Sequence, residues 1–132
     1  MPVIQIEGDS RTYMFSVVEA NHADLPDWGG IFIAINSESN FGIKMSNCVC
    51  IGACDNFNKY RHNIMNSIRS KFTHLYLLPD FQAQSRQFAL EDILKMDAFS
   101  EVKVNILEKE EKAYKNFRSA DSNDVEFVNL KN

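Results

Sequence analysis

Two stretches of this chain are almost continuously apolar, and each has the length of a β-strand. They cover residues 30–35, Gly-Ile-Phe-Ile-Ala-Ile, and residues 48–53, Cys-Val-Cys-Ile-Gly-Ala. A short apolar run without alternation is typical of a strand that is buried on both faces of its sheet. We therefore predict that these two strands form the centre of a sheet.

Further strands are predicted on both sides of this central pair. Residues 3–6 and 12–18 are rich in β-branched and aromatic residues, and Gly-Asp-Ser at 8–10 supplies turn residues between them. This pattern indicates an N-terminal β-hairpin over residues 2–18. A strand over 73–78, closed by a proline, and a C-terminal strand–helix extension over 101–132 complete the predicted set.

Helical spacing of apolar residues predicts two helices after the central strands. Asp55 or Asn56 is a suitable N-cap for the first helix, and Asp80 or Ser85 for the second. A third, short and charged helix is predicted over 108–117. The inward-facing positions of the first two helices are Phe57, Tyr60, Ile64 and Ile68, and then Leu90, Ile93 and Leu94.

These elements predict an α+β fold with a small central mixed or antiparallel sheet flanked by two to three helices. The length of 132 residues fits a single domain over 1–132. The longest apolar runs are far shorter than the roughly 20 residues of a membrane helix. No basic-then-apolar leader pattern is present. We therefore expect a cytoplasmic protein without a membrane partner.

The net charge of −4 is unevenly distributed along the chain. The first 55 residues hold seven acidic residues and two cations, whereas residues 56–100 hold four acidic residues and six cations. Proteins dedicated to nucleic acid usually carry a basic field, because phosphate contacts supply most of the non-specific affinity. Any nucleic-acid contact would therefore be confined to the middle segment.

The three cysteines, Cys48, Cys50 and Cys54, do not suggest a disulfide framework. We expect Cys48 and Cys50 to lie on one face of their strand and the thiols to be reduced and buried. The alternative is a zinc site that combines these cysteines with His62 or His74. That alternative lacks the CxxC pair of most structural zinc sites.

The segments Gly30-Ile31-Phe32 and Cys50-Ile51-Gly52 resemble the two motifs of the GIY-YIG nuclease domain. Asn56-Phe57 is similar to the residues that open the family's first helix, and the order of strand, loop, strand, helix, strand and helix also agrees. The resemblance covers a core of about 29–96. It implies the GIY-YIG fold, with the N-terminal hairpin added in front.

The resemblance also implies where catalytic residues would lie. The family uses a pair of tyrosines, an arginine on the phosphate and a glutamate that holds a divalent metal ion. In this chain the tyrosine positions are Phe32 and Cys50, and the arginine position is Tyr60, with Arg61 beside it. Only Glu91 matches, at the position of the metal-binding glutamate.

The missing tyrosines favour a catalytically inactive protein that works as a binding or inhibitory module, of the immunity or anti-nuclease type. A protein partner then fits better than nucleic acid, because complementary charge selects partners, and no cofactor is expected. Aromatic residues in or beside loops are the candidates for an exposed binding patch. They are Phe41, Phe81 and Phe99.

The alternative is a divergent nuclease that depends on Mg²⁺ or Mn²⁺. Glu91 would hold the metal ion, and Arg61 would bind the phosphate. His62 or a water molecule would be the base, and Tyr60 is a third candidate for the catalytic group. Further cations that could bind phosphate are Lys59, Arg69 and Lys71.

Overall fold

The computed structural model describes residues 2–21, 24–36, 48–67, 72–96, 104–107 and 125–128. The strands are β1 (Val3–Glu7), β2 (Thr12–Glu19), β3 (Gly30–Ile35), β4 (Cys48–Cys54), β5 (His74–Pro79), β6 (Val104–Leu107) and β7 (Val125–Val128). The helices are α1 (Arg61–Ser67), between β4 and β5, and α2 (Ala83–Leu94), between β5 and β6. The two apolar runs that the sequence predicts as strands are β3 and β4.

The seven strands form one sheet in the order β1-β2-β5-β3-β4-β6-β7. The first five are antiparallel to their neighbours, whereas β6 runs parallel to β4 and β7 runs parallel to β6. The predicted α+β class, the N-terminal hairpin and the central position of β3 are confirmed. The helix predicted over 108–117 lies outside the described residues.

The alternation of side chains along β3 divides the core into two clusters, one on each face of the sheet. Ile31 and Ile33 pack in a cluster with α2, and we call this side the α2 face. Phe32 and Ala34 pack in a second cluster with α1, on the α1 face. All these side chains are fully buried. The sheet therefore separates the two helices.

Gly30 marks a close approach between β3 and β5. A Cβ atom at this position would lie only 1.6 Å from the backbone oxygen of Leu78. Gly30 pairs with Pro79 on one side and with Cys54 on the other. The glycine of the Gly-Ile-Phe segment is thus required by backbone packing, independently of any chemistry.

Helix α1 begins later than the sequence predicts. The proposed N-caps Asp55 and Asn56 precede a turn over 57–60, and the helix starts at Arg61. The side chain of Asn56 accepts a hydrogen bond of 2.9 Å from the backbone N–H of Lys59. Asn56 therefore stabilises the turn instead of the helix, as asparagine often does beside its own backbone.

Helix α2 begins at Ala83, and its N-cap is Gln82 instead of the predicted Asp80 or Ser85. The Asp80 carboxylate accepts hydrogen bonds from the backbone N–H of Gln82, at 3.2 Å, and from the Ser85 hydroxyl, at 2.6 Å. Asp80 also contributes its backbone oxygen to the guanidinium of the buried Arg86. One aspartate thus fixes the first turn of α2 at the end of β5.

Strand β4 contains an irregularity that the apolar pattern does not reveal. Its pairing with β3 shifts register between Ala34 and Ile35. Cys48 consequently packs on the α2 face, whereas Cys50 lies in the cluster on the α1 face. The prediction that Cys48 and Cys50 share a face is therefore wrong, because a bulge adds one residue to the alternation.

Neither described helix is long and apolar enough to cross a membrane.

Candidate functional site

The positions that resemble the catalytic tyrosines lie in the apolar core on the α1 face. Phe32 is fully buried, and its ring packs edge-to-face on Phe57, with 6.5 Å between the ring centroids. Cys50 is 2% exposed, and its thiol donates to the backbone oxygen of Ile51. Neither side chain reaches a surface where a substrate could bind.

Tyr60 is the phenol closest in sequence to these positions, and it is also buried. Only 3% of the residue is exposed, and its hydroxyl has no hydrogen-bond partner within the described ranges. The ammonium group of Lys59 lies 5.1 Å from the centroid of the Tyr60 ring. Tyr60 packs with Ile64 one turn further along, so it contributes to the core as its helical spacing predicts.

Arg61 and His62 lie side by side in the first turn of α1 and differ in exposure. Arg61 is half-buried, whereas His62 is exposed. A nitrogen of the His62 ring, Nε2, lies 2.8 Å from Nδ2 of Asn66, one turn further along the helix. The Tyr60 side chain therefore lies in the core, Arg61 lies at the boundary between core and solvent, and His62 is exposed to solvent.

Glu91 lies on the other side of the sheet. It belongs to α2, is half-buried, and accepts a long hydrogen bond of 3.4 Å from the side-chain amide of Gln87. Arg61 belongs to α1, and the sheet lies between the two helices. The structure thus does not bring the candidate metal ligand and the candidate phosphate ligand together.

The remaining candidates do not add to this arrangement. Lys59 is exposed in the turn before α1, whereas Arg69 and Lys71 lie outside the described residues. Within the described ranges, no group of three or more histidine, cysteine, aspartate or glutamate side chains could hold a metal ion.

Sequence reasoning missed a buried polar group with several hydrogen bonds, the carboxylate of Asp92 on α2. It accepts hydrogen bonds of 2.8 Å from the Tyr13 hydroxyl, the Ser10 hydroxyl and the Ser10 backbone N–H. Burial opposes ionisation, but the hydrogen bonds from Tyr13 and Ser10 outweigh it and hold the pKa of Asp92 below its usual value. The carboxylate ties the hairpin turn to α2.

The helical pattern carries no signal for Asp92. At about 100° per residue, position 92 lies well away from the side of α2 on which the apolar spacing places Leu90, Ile93 and Leu94. Asp92 is nevertheless buried, and a buried carboxylate needs partners that satisfy it. Ser10 of the hairpin turn and Tyr13 of β2 are those partners.

A second polar pair was also missed, on the α2 face. Burial raises the pKa of the half-buried Cys48 thiol to about 12. Burial also raises the pKa of Tyr76 well above its ordinary value, and the nearby thiol of Cys48 contributes a smaller effect in the same direction. The hydroxyl of Tyr76 is fully buried without a hydrogen-bond partner among the described residues. Burial therefore favours the neutral form of both groups.

Aromatic residues are exposed around the first half of α2. Phe81, just before the helix, is 74% exposed, and Phe88 on the helix is 44% exposed. The guanidinium of Arg11, from the hairpin turn, lies 4.5 Å above the centre of the Phe88 ring. We use the name aromatic surface for these three exposed residues, Arg11, Phe81 and Phe88, of which Arg11 and Phe88 are in contact. The expected exposure of Phe81 is confirmed, whereas Phe41 and Phe99 lie outside the described residues.

Comparison with protein-family models, with curated proteins and with solved structures finds no match to this chain. The resemblance to the GIY-YIG family therefore stays a prediction from the motif residues.

Proposed function

We propose that this chain is a catalytically inactive, protein-binding module on a GIY-YIG-like scaffold, acting as an inhibitor of the immunity or anti-nuclease type. The observation that carries the proposal is the separation of Arg61 from Glu91 by the sheet. Metal-assisted phosphodiester cleavage needs the metal ion and the cationic group on the same phosphate. A glutamate and an arginine on opposite faces of a sheet do not meet that need.

The buried state of the motif positions supports the same conclusion. Phe32 and Cys50 stand where the resemblance implies phenols, and both contribute to an apolar cluster. The close approach of the Leu78 backbone to Gly30 explains the glycine of the first motif by packing alone. The motif residues therefore serve the scaffold: none of them carries a phenol, and the thiol of Cys50 is buried and donates to the backbone oxygen of Ile51.

The aromatic surface supports binding to a protein. Exposed aromatic side chains and arginine are enriched at the centres of protein interfaces. The contact between Arg11 and Phe88 holds both side chains in place before binding, which reduces the entropy lost in a complex. We therefore assign the primary binding contact to the aromatic surface.

The charge of the first 55 residues favours a basic partner. Every described acidic residue before position 56 is exposed: Glu7, Asp9, Glu19, Asp24, Asp27 and Asp55. Arg11 is the single cation among the described residues of that segment. Such an acidic exterior complements a partner with a basic face, and nucleases have one because they bind phosphate.

A cleavage assay separates this function from the nuclease alternative. Labelled single- and double-stranded DNA and RNA are incubated with the wild-type chain, with Glu91→Ala and with Arg61→Ala, in Mg²⁺ or Mn²⁺. We expect no cleavage above the level of buffer for any of the three proteins. Metal-dependent cleavage that is lost in both variants would replace the inhibitor proposal with a nuclease.

A binding assay tests the aromatic surface. Partners captured on the immobilised wild-type chain are compared with those captured on Phe81→Ser and Phe88→Ser. Met14→Ser is the matched control, because Met14 is also apolar and 53% exposed but lies on the hairpin strand β2. We expect a partner that binds the wild type and the control and is lost with either phenylalanine variant. Equal binding by all four proteins would refute the assignment of this surface.

A further inference from the structure

Strand β1 lies at one edge of the sheet, and β2 is its neighbour there. Two hydrogen bonds fix how its backbone is oriented: the N–H of Gly8 donates to the oxygen of Arg11, and the N–H of Val17 donates to the oxygen of Pro2. Hydrogen-bonded pairs alternate along an antiparallel ladder. The even-numbered residues of β1 therefore direct their backbone groups toward β2, and the odd-numbered ones direct theirs outward.

The outward-facing residues are Val3, Gln5 and Glu7, and all three are exposed. Sheet edges are usually protected by a bulge, a lysine, a proline or a covering segment. Strand β1 pairs with β2 without a register shift, and residues 3–7 contain neither lysine nor proline. Among the described strands only β2 pairs with β1, so the backbone N–H and carbonyl groups of these three residues line an edge on which another strand can pair.

The sequence of β1 is complementary to itself in one antiparallel register. When Gln5 pairs with Gln5 of a second copy, Val3 comes opposite Glu7 of that copy and Glu7 opposite its Val3. All three outward-facing residues then form hydrogen-bonded pairs, and about six inter-chain backbone hydrogen bonds result. No other antiparallel register of the five residues uses every outward-facing group.

Charge and apolar contacts agree with this register. The two Glu7 carboxylates stay four residues apart along the ladder, about 13 Å, so they do not repel strongly. On the α2 face the partly exposed Ile4 comes opposite Ile6 of the second copy, which extends the core beneath α2. On the α1 face, Val3 of the edge strand itself is 57% exposed.

We propose that β1 is the interface of a symmetric homodimer, in which two sheets join edge to edge through antiparallel β1 strands centred on Gln5. Each copy contributes the same residues, so the assembly closes at two chains and leaves no second β1 edge open. The proposed occupant of the edge is a second copy of this chain, because the register satisfies both its backbone groups and its charges.

The oligomeric state of the full chain tests the proposal by sedimentation velocity across a wide concentration range. We expect a dimer for the wild type. Gln5→Lys places two ammonium groups opposite each other at the centre of the interface, and we expect the dissociation constant to rise at least about tenfold. The same substitution at the exposed Thr12 of β2 is the matched control, since Thr12 lies one strand away from the edge. It should leave the dimer intact.

Cysteine cross-linking tests the register. Gln5→Cys should form an intermolecular disulfide under mild oxidation, because directly opposed residues lie within disulfide distance. Val3→Cys should not cross-link to itself, but a mixture of Val3→Cys and Glu7→Cys chains should. A monomeric wild type would overturn the proposal and leave a foreign strand as the occupant. A dimer that Gln5→Lys does not weaken and Gln5→Cys does not cross-link would also overturn it.

Discussion

The Asp92 carboxylate of α2 accepts a hydrogen bond of 2.8 Å from the Tyr13 hydroxyl of β2. Seventy-nine positions separate the two residues in the chain, so the bond forms only when α2 docks on the hairpin. The space above the turn is filled as well, since a Cβ atom on Gly8 would lie 2.5 Å from the same carboxylate. Asp92 therefore anchors α2 to the hairpin through its hydrogen bonds.

The substitution Asp92→Asn should destabilise the protein by about 2–4 kcal/mol. The amide has one acceptor oxygen, so the hydrogen bonds from Tyr13 and Ser10 cannot all be kept. The loss is measured by urea unfolding at pH 7. Asp9→Asn is the matched control, because Asp9 is an exposed aspartate of the same turn, and it should change stability by less than about 0.5 kcal/mol. Equal stabilities of the two variants would contradict the anchor role.

The stability that Asp92 supplies should disappear in acid. The pKa of Asp92 is lower in the folded chain than in the unfolded chain, where it is about 3.9. Between the two values the unfolded chain binds more protons, so stability falls as the pH falls. We expect the difference in unfolding free energy between wild type and Asp92→Asn to stay constant above about pH 5 and to shrink below about pH 4. Urea unfolding at a series of pH values from 7 to about 2 measures this difference. A stability difference that does not depend on pH would refute the assignment of this stability to the ionised Asp92 carboxylate.

The sequence predicts the sheet well because the apolar pattern carries that information locally. The bounds predicted for β3 agree with the structure, since its continuous apolar run begins after a glycine and ends before the polar Asn36. Strand β4 was also predicted, but the bulge that turns Cys48 to the opposite face was not. The alternation pattern is read by counting residues along the strand, so it does not reveal an inserted residue.

The candidate site was harder to predict, because it depends on how helices are distributed over the sheet. The spacing of Arg61 and Glu91 along the chain is compatible with one shared groove, but the structure has their helices on opposite faces. Asp92 was overlooked for a related reason. Its partners Ser10 and Tyr13 lie about eighty positions away, and hydrophobic periodicity describes only near neighbours.

Gly30→Ala should be one of the most destabilising single substitutions in the protein. The added Cβ would overlap the backbone oxygen of Leu78, so β3 and β5 would have to separate at this point. We expect a loss of at least about 3 kcal/mol in thermal or urea unfolding, or failure to fold. Ala34→Gly, in the same strand, removes one methyl group and should cost only about 1–2 kcal/mol. If Gly30→Ala is the milder of the two, the close approach does not explain this glycine.

Phe32→Tyr should destabilise the protein without creating nuclease activity. Phe32 is fully buried within an apolar cluster, so the new hydroxyl lacks a hydrogen-bond partner, and the expected loss is about 1–3 kcal/mol. Phe88→Tyr is the matched control, because that ring is 44% exposed and its hydroxyl can reach water. Unfolding in urea measures both variants.

The same Phe32→Tyr protein then tests whether the motif position has catalytic capacity. Adding a phenol leaves Arg61 and Glu91 on opposite sides of the sheet, so no phosphate can contact both groups. We expect cleavage of labelled DNA and RNA in Mg²⁺ or Mn²⁺ to stay at the level of buffer. Metal-dependent cleavage by Phe32→Tyr, lost again in Phe32→Tyr combined with Glu91→Ala, would mean that a single missing hydroxyl inactivates the site.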